Sequence, residues 1–576
     1  MYAYCIIEYP VKSLDKAFTY KIPSQLQEKL QVGMKVLVPF NNRLVHGIVL
    51  KITKDYSGQY DLKEIEKIED EFLILNKELL ELGRYMQNIT LCNLITSYQT
   101  MLPSALKIKE QKKDYNEYDS YIVLNQPKEI IQNFINTHKK SNKTQILENL
   151  LEQKEQNRKE LNQSSLRELI KLNMIKVEKR IKKKKNEKEI IIDNKVLNEE
   201  QQKAYETISS NFNNSKTFLL YGVTGSGKTL IYIHLIKEVI KQNKTALLLV
   251  PEISLTGQII NIFYENFGVD VAILHSGLSN KEKYEEYLKI LNNEVKIVIG
   301  TRSAVFAPLT NIGIIIIDEE HSDTYKQDNT PRYHARDIAI KRSEYHQCPL
   351  VLGSATPSLE SMARAGKNVY ELVQLKKRAN NLPLPKVFIV DMKQELEKRN
   401  FIISELLDQK IKECFEKKEQ VILLLNRRGF STFITCSNCG FTYKCPHCEI
   451  TLTYHKQANT LRCHYCGYTK IKDDICPECH EKGLNYMGMG TEKLEEIIKG
   501  KYEQAKPIRM DADTTSKKGA HSKIITAFKN EEYNILIGTQ MISKGLDFPK
   551  CTLVGVINAD TSLNIPDFRS SEKTFS

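Results

Sequence analysis

No apolar run in this chain reaches the ~18–20 residues that a helix needs to span a bilayer, and the opening Met1-Tyr2-Ala3-Tyr4-Cys5 lacks the positive n-region of a signal peptide. The expectation is a cytoplasmic protein with no membrane partner. A single core is excluded as well: 576 residues at roughly 150 per domain imply three or four domains. An acidic balance is also missing. The formal net charge of +13 suits a polyanionic partner such as nucleic acid, although lysine-rich surfaces also serve solubility. Cys5, Cys92, Cys348, Cys414 and Cys551 show no spacing pattern and read as core thiols.

What is present is a site for a triphosphate. Gly222-Val223-Thr224-Gly225-Ser226-Gly227-Lys228-Thr229 fits G-x-x-x-x-G-K-[ST] and lies between an apolar run, Thr217 to Tyr221, and the mixed apolar stretch Leu230 to Ile236. Strand, loop and helix is the context such a loop requires. Glycines let backbone N–H groups curl around phosphate oxygens, Lys228 supplies a charge for the β/γ-phosphates, and Thr229 can ligate Mg²⁺. About ninety residues on, Ile314-Ile315-Ile316-Ile317-Asp318-Glu319-Glu320-His321 reads as a buried parallel strand with acids at its carboxyl end. Asp318 would hold the metal through water and Glu319 would position the attacking water. A strand followed by an acidic helix start is the plainer alternative.

Eight further cysteines form four C-x-x-C pairs: Cys436/Cys439, Cys445/Cys448, Cys463/Cys466 and Cys476/Cys479. Two such knuckles complete a tetrahedral Cys₄ shell, so four predict two Zn²⁺ ions. A reducing cytosol disfavours disulfides between them. Nested pairing is expected, with Cys445, Cys448, Cys463 and Cys466 on one ion and Cys436, Cys439, Cys476 and Cys479 on the other. His447, His455, His464 and His480 remain substitute ligands, although eight thiolates leave them better suited to surface or packing roles.

Composition and periodicity divide the chain. Residues 1–105 read as a β-rich module turning helical from about residue 74, with short strands around Tyr4–Glu8, Phe18–Pro23, Val36–Phe40 and His46–Leu50 and no catalytic constellation. Residues 106–180 carry two helices and a strand, which a winged-helix module or a helical spacer would explain. Residues 181–195 form a basic linker. Residues 196–385 and 386–576 read as two α/β units, the second starting near Lys386-Val387-Phe388-Ile389-Val390-Asp391 and interrupted at 436–480 by the zinc segment. Two α/β units with a nucleotide between them describe a motor, because hydrolysis can open and close the cleft.

Short motifs arrive in an order that resembles superfamily 2 helicases: Leu197-Asn198-Glu199-Glu200-Gln201, Pro251-Glu252-Ile253-Ser254-Leu255-Thr256, Gly300-Thr301-Arg302-Ser303-Ala304 and Gly353-Ser354-Ala355-Thr356-Pro357. Three longer stretches narrow the resemblance to the PriA family of primosomal replication-restart helicases. They are Asp318 to His321 running through Tyr325-Lys326-Gln327 to Arg332-Tyr333-His334-Ala335-Arg336-Asp337, Asn426-Arg427-Arg428-Gly429-Phe430 leading into the cysteines, and Gly538 to Pro549 continuing to Pro566-Asp567-Phe568-Arg569.

The resemblance implies an α/β multidomain protein with two RecA-like parallel-sheet motor domains, a zinc-binding insertion, a small β-rich DNA-binding domain and a winged-helix domain. It implies a 3′→5′ DNA helicase, driven by ATP with Mg²⁺, that recognises stalled forks and prepares loading of the replicative helicase. Its partners would be branched and single-stranded DNA, single-stranded-DNA-binding protein and other primosome components, with the chain a monomer. By the same resemblance Gln201 reads the adenine, Gly545 and Asp547 contact ATP, and Phe18 and Gly33 belong to the pocket for a nascent 3′ end. The loop from Tyr325 to His334, with Lys326, Arg332 and Tyr333, senses single-stranded DNA through base stacking and phosphate contact. The family continues past the segment matching Pro566 to Phe575 into an arginine-bearing motif, so the chain ending at Ser576 is expected to bind ATP but turn it over poorly. A non-catalytic fork-binding scaffold and an RNA helicase or duplex translocase are the competing readings.

Overall fold

The computed structural model describes residues 1–56, 58, 61–70, 72–107, 118–138, 141–153, 155–157, 161–181, 196–251, 257–379, 383–398, 402–425, 434–436, 438–455, 458–486, 490–511, 513–515, 519–542, 548–557, 559, 563 and 567–575. Among these no helix is long and apolar enough to cross a membrane.

The amino-terminal module contains β1 (Tyr2–Ile7), β2 (Phe18–Lys21), β3 (Lys35–Phe40), β4 (Arg43–Thr53) and β5 (Lys67–Ile68), in the sheet order β2-β1-β4-β3-β5. Neighbouring strands in it run antiparallel. Two helices follow, α1 (Lys77–Thr90) and α2 (Leu94–Met101); Asn76 caps the first by accepting from the Leu79 amide. Next come β6 (Tyr118–Leu124), α3 (Lys128–Thr137), α4 (Asn142–Gln153), β7 (Glu155–Asn157), α5 (Gln163–Lys171) and β8 (Ile175–Ile181), whose strands pair as β7-β6-β8. Two strands, β6 and β7, and a helix, α3, thus join the two helices and strand expected from periodicity.

The first motor lobe runs α6 (Glu199–Ser209), β9 (Thr217–Gly222), α7 (Lys228–Lys241), β10 (Thr245–Leu249), α8 (Gly257–Phe267), β11 (Val271–Leu274), α9 (Asn280–Leu291), β12 (Ile297–Gly300), β13 (Ile312–Asp318), α10 (Ala335–His346), β14 (Leu350–Ser354), α11 (Leu359–Gly366) and β15 (Glu371–Leu375). Its sheet has the order β11-β12-β10-β13-β14-β9-β15, with parallel pairing throughout. Alternate residues feed opposite faces: Leu247, Leu249, Ile315 and Ile317 join one core, and Leu248, Ile314 and Ile316 the other. Burial on both sides explains why these strands are continuous β-branched and leucine runs. The first core also contains Ile74, Leu75, Leu79, Leu82 and Met86, so α1 packs on the motor.

The second lobe has α12 (Met392–Glu397), α13 (Glu405–Glu416), β16 (Gln420–Leu425), β17 (Ile434–Cys436), β18 (Thr453–His455), β19 (Thr460–Arg462), β20 (Thr469–Ile471), β21 (Leu484–Tyr486), α14 (Thr491–Lys501), β22 (Pro507–Met510), α15 (Ala520–Lys529), β23 (Ile535–Gly538), β24 (Cys551–Ile557) and α16 (Ser570–Phe575). A parallel sheet of order β22-β23-β16-β24 forms its centre. The cysteine segment is an insertion closed by antiparallel pairing of β17 with β21, where Cys436 faces Leu484. The stretch Lys386 to Asp391, where the second unit is expected to start, forms no strand, and its Val387, Phe388 and Ile389 are exposed.

Candidate functional site

Sheet order brings the site together. Strands β13, β14 and β9 are neighbours, so the acids after β13, Gly353-Ser354 at the end of β14 and the glycine loop after β9 share one carboxyl edge, where open α/β sheets bind ligands. Gly225 and Gly227 take φ of +78° and +81°, values that suit glycine in the turn into α7. A Cβ on Gly227 would lie 2.3 Å from Gln201 Nε2. Thr224 and Gly225 are exposed, whereas Val223, Lys228 and Thr229 are partly buried.

Gln201 braces this loop. Its Nε2 donates to Ser226 O at 2.8 Å, and its Oε1 accepts from Asn198 N at 2.9 Å in the capping box of α6. Lys228 Nζ donates to Gly222 O at 2.9 Å. The buried Ser226 Oγ has no partner among the described atoms. No acid occupies the first turn of α7, so its positive helix end faces the loop unopposed. A glycine cradle, a loop hydroxyl without a partner and an ammonium resting on a carbonyl fit a phosphate group.

Across the edge, Tyr232 Oη donates to Asp318 Oδ1 at 2.9 Å and Tyr325 Oη donates to Asp318 O at 2.6 Å. Burial pushes the Asp318 carboxyl up, against the pull of the Lys228 charge and the Tyr232 hydrogen bond. Glu319 has φ of +48°, a left-handed backbone uncommon for this residue type. His321 Nδ1 lies 2.8 Å from Ser354 Oγ and 3.5 Å from Glu319 Oε2. The buried Glu320 accepts from Ser358 N at 2.7 Å, Ser358 Oγ at 3.1 Å and Ser361 Oγ at 2.8 Å. The acid motif is thereby wired to β14 and to the start of α11.

The loop beyond the acids is placed differently from its expected use. Tyr325 and Tyr333 are buried; Tyr333 packs edge-on to Phe306 at 5.0 Å. Neither ring is available for base stacking in this conformation. Arg302 Nη1 donates to Lys326 O at 2.7 Å and Thr324 O at 3.3 Å, pinning the loop from within. Lys326 and Arg332 are exposed. His334 accepts from Arg336 N at 3.1 Å as the cap of α10. Burial, then the neighbouring Arg336 charge, lower its imidazole to about 4, so the ring stays neutral. A cleft of ≈ 1060 Å³ reaches from Thr100 and Lys107 past Arg302 and His334 to Arg569 and Lys573.

In the amino-terminal module Phe18 lies on β2 with its ring edge-on to Phe40 at 5.2 Å and Lys16 Nζ 5.6 Å above it. Gly33 has φ of +93°, and a Cβ there would lie 2.0 Å from Leu75 O; its place is a tight backbone crossing. Gly545 and Asp547, like 252–256 and 426–430, lie outside the described residues.

The eight cysteines form two groups, Cys436, Cys439, Cys476, Cys479 and Cys445, Cys448, Cys463, Cys466, with sulfurs within 4.8 Å of one another in each. Cross-knuckle Sγ separations of 3.5–3.6 Å match the edge of about 3.8 Å expected for a tetrahedron with Zn–S near ~2.3 Å. One local device builds all four knuckles. Gly440, Glu449, Gly467 and His480 donate their amides to the carbonyls of Cys436, Cys445, Cys463 and Cys476, and each takes positive φ. The donor set fits two zinc ions. His447, His455, His464 and His480 belong to neither group.

Tyr232 and Ser358 are contacts that motif reading missed. Tyr232 had a faint signal, since it sits four residues after Lys228 and so on the same side of α7. Ser358, which the structure shows as the cap of α11, carried no such signal.

A phosphate loop and an acidic strand end on one parallel sheet, beside a second parallel-sheet lobe, define a helicase motor. Family models match as 3'DNA-binding domain (3'BD) over residues 5–103, Type III restriction enzyme, res subunit over 194–359, PriA DNA helicase Cys-rich region (CRR) domain over 445–470, and Helicase conserved C-terminal domain over 481–571. The replication restart protein PriA of Bacillus subtilis is 42% identical, over 100% of this chain and 80% of its own length. That of Chlamydia trachomatis is 36% identical, over 98% and 77%. A RecG structure bound to a three-way DNA junction aligns with a TM-score of 0.36 and 16% identity, over 62% of this chain and 38% of RecG. The chain belongs to the PriA family of replication restart proteins.

Proposed function

We propose that this protein is an ATP-dependent 3′→5′ DNA helicase that recognises stalled or collapsed replication forks and initiates primosome assembly, enabling reloading of the replicative helicase. The observation that carries this reading is the shared edge of Lys228 and Asp318, with Tyr232 fixing the carboxylate and Gln201 bracing the loop. Bound Mg²⁺ would neutralise phosphate charge. Thr229 and Asp318 are the residues to hold it. Lys228 leaves Gly222 O for phosphate oxygens, Thr224, Gly225 and Gly227 offer backbone amides while Val223 N and Ser226 N stay on Leu375 O and Val223 O, and Glu319 orients the attacking water. Gln201, with one amide proton left after bracing Ser226, can serve the base and the loop together.

Lys326 and Arg332 are placed to contact strand phosphates, and Phe18 with Lys16 offers a ring and a charge suited to a nucleotide at the 3′ end. Residues 106–180 act as a winged-helix DNA contact. Single-stranded-DNA-binding protein and other primosome components are the protein partners, and the chain works as a cytoplasmic monomer. Forked DNA should stimulate ATP hydrolysis, and Lys228→Ala should lower the stimulated rate at least ~100-fold. Equal rates for the two chains would sink the motor reading.

A further inference from the structure

The segment 567–575, which follows β24 in the chain, touches the first lobe. Segment 567–575 begins with Asp567, whose carboxylate accepts from Arg569 N at 2.9 Å and Lys573 Nζ at 2.7 Å. From this braced turn three side chains reach the first lobe. Arg569 pairs with Glu360, Glu572 Oε1 accepts from Leu359 N at 2.9 Å, and Lys573 Nζ meets Asp323 at 2.9 Å.

Both landing points adjoin Glu320. Leu359 N is the amide next to Ser358 N, which Glu320 binds, and Asp323 lies three residues beyond Glu320 in the chain. We propose that segment 567–575 is a clasp carrying the second lobe's position to the acidic motif Asp318–His321, with Arg569, Glu572 and Lys573 as positioning residues. The proposal rests on the motor reading for what the movement serves, but not for the contact itself.

The character of the contact fits a joint that opens and closes. Its charged groups are partly exposed: Asp323 and Lys573 keep 46% and 37% of their side-chain surface, and Glu360 and Arg569 keep 40% and 36%. Exposed pairs are individually weak, so the clasp releases without unfolding either lobe. The far ends of its wiring are firm, because Glu320 is buried with three hydrogen bonds from α11 and its cap. Movement of α11 or of Asp323 therefore reaches Glu320 directly, and Asp318 is two residues away on the same chain.

Two measurements test this. A zero-length carbodiimide treatment of the unmutated chain, read by mass spectrometry, should join Lys573 to Asp323 as well as to its local neighbour Asp567. A Lys573–Asp567 product alone would overturn the clasp. Hydrogen exchange should be at least fivefold faster in peptides covering 318–326 and 358–363 of Arg569→Glu/Lys573→Glu, and return toward the original rate when Asp323→Lys/Glu360→Arg is added. Unchanged exchange in the first variant, or no recovery in the second, would overturn the transmission. If both responses appear in a chain that hydrolyses no ATP, the clasp stands and the motor reading falls.

Discussion

Gly353 can carry no side chain where it stands. A Cβ would lie 1.8 Å from Tyr232 Oη and 3.3 Å from Asp318 Oδ1, so Gly353→Ala must displace the tyrosine that holds the carboxylate. Chemical denaturation should show a loss of about 1–3 kcal/mol, the usual cost of overpacking, and nucleotide titrations should show weaker magnesium-dependent binding. Unchanged magnesium dependence would separate Tyr232 from metal binding. The glycine loop was legible in sequence because its geometry is a local backbone property. The Tyr232–Asp318 bond, across 86 residues, depends on strand order and was not. Tyr325 and Tyr333 illustrate a related limit: aromatic composition in an irregular segment does not say whether rings face the solvent or the core, and here Asp318 O and Phe306 take them inward.

Between elements, α1 and α10 are joined by a buried charge network. Arg342 donates to both carboxylate oxygens of Glu78, at 2.6 and 3.0 Å, and to the carbonyls of Val305 and Ala307; His346 Nε2 lies 3.0 Å from Glu78 Oε2. Removing one partner strands the other, so Arg342→Met should cost about 3–5 kcal/mol, measured by urea unfolding. Burial by itself would raise the Glu78 carboxyl, but Arg342 and then His346 bring it down to about 2. A depressed carboxyl contributes stability that is complete above its unfolded value, ~4.3, and is lost as pH falls through about 2. Urea midpoints should therefore drop more steeply between pH 5 and 2 in the unmutated chain than in Glu78→Gln; parallel curves would contradict the assignment. A pair 264 residues apart leaves no periodic trace. The zinc knuckles leave a plain one, because each is a turn of a few residues repeated four times. The run at Lys386 to Asp391, where the second unit was expected to start, misleads for the opposite reason: its β-propensity is visible, but a strand requires a partner, and this run pairs with none of the described strands.

At the scale of the whole molecule, the excess of positive charge and the eight thiolates make separable demands. Zinc removal by a chelator should release two ions per chain and raise hydrogen exchange across the knuckles, while the seven-stranded sheet keeps its protection. A common collapse would mean that the ions support the motor as well. Single-strand affinity should fall with salt, and Lys326→Ala or Arg332→Ala should each flatten the log–log slope by about 0.7 if that side chain meets a phosphate. The two-lobed plan was legible because long apolar strands, a phosphate loop and ordered motifs extend over hundreds of residues. The attachment of the amino-terminal module through Ile74, Leu75 and Leu79 to the motor core was not, since any apolar helix face presents the same pattern.

The pairing of β17 with β21 draws the two ends of the cysteine-rich insertion into one narrow neck. A pull on that appendage by DNA or protein is thereby gathered onto one short ladder instead of reaching its two ends separately. The appendage can thus be grasped as a unit.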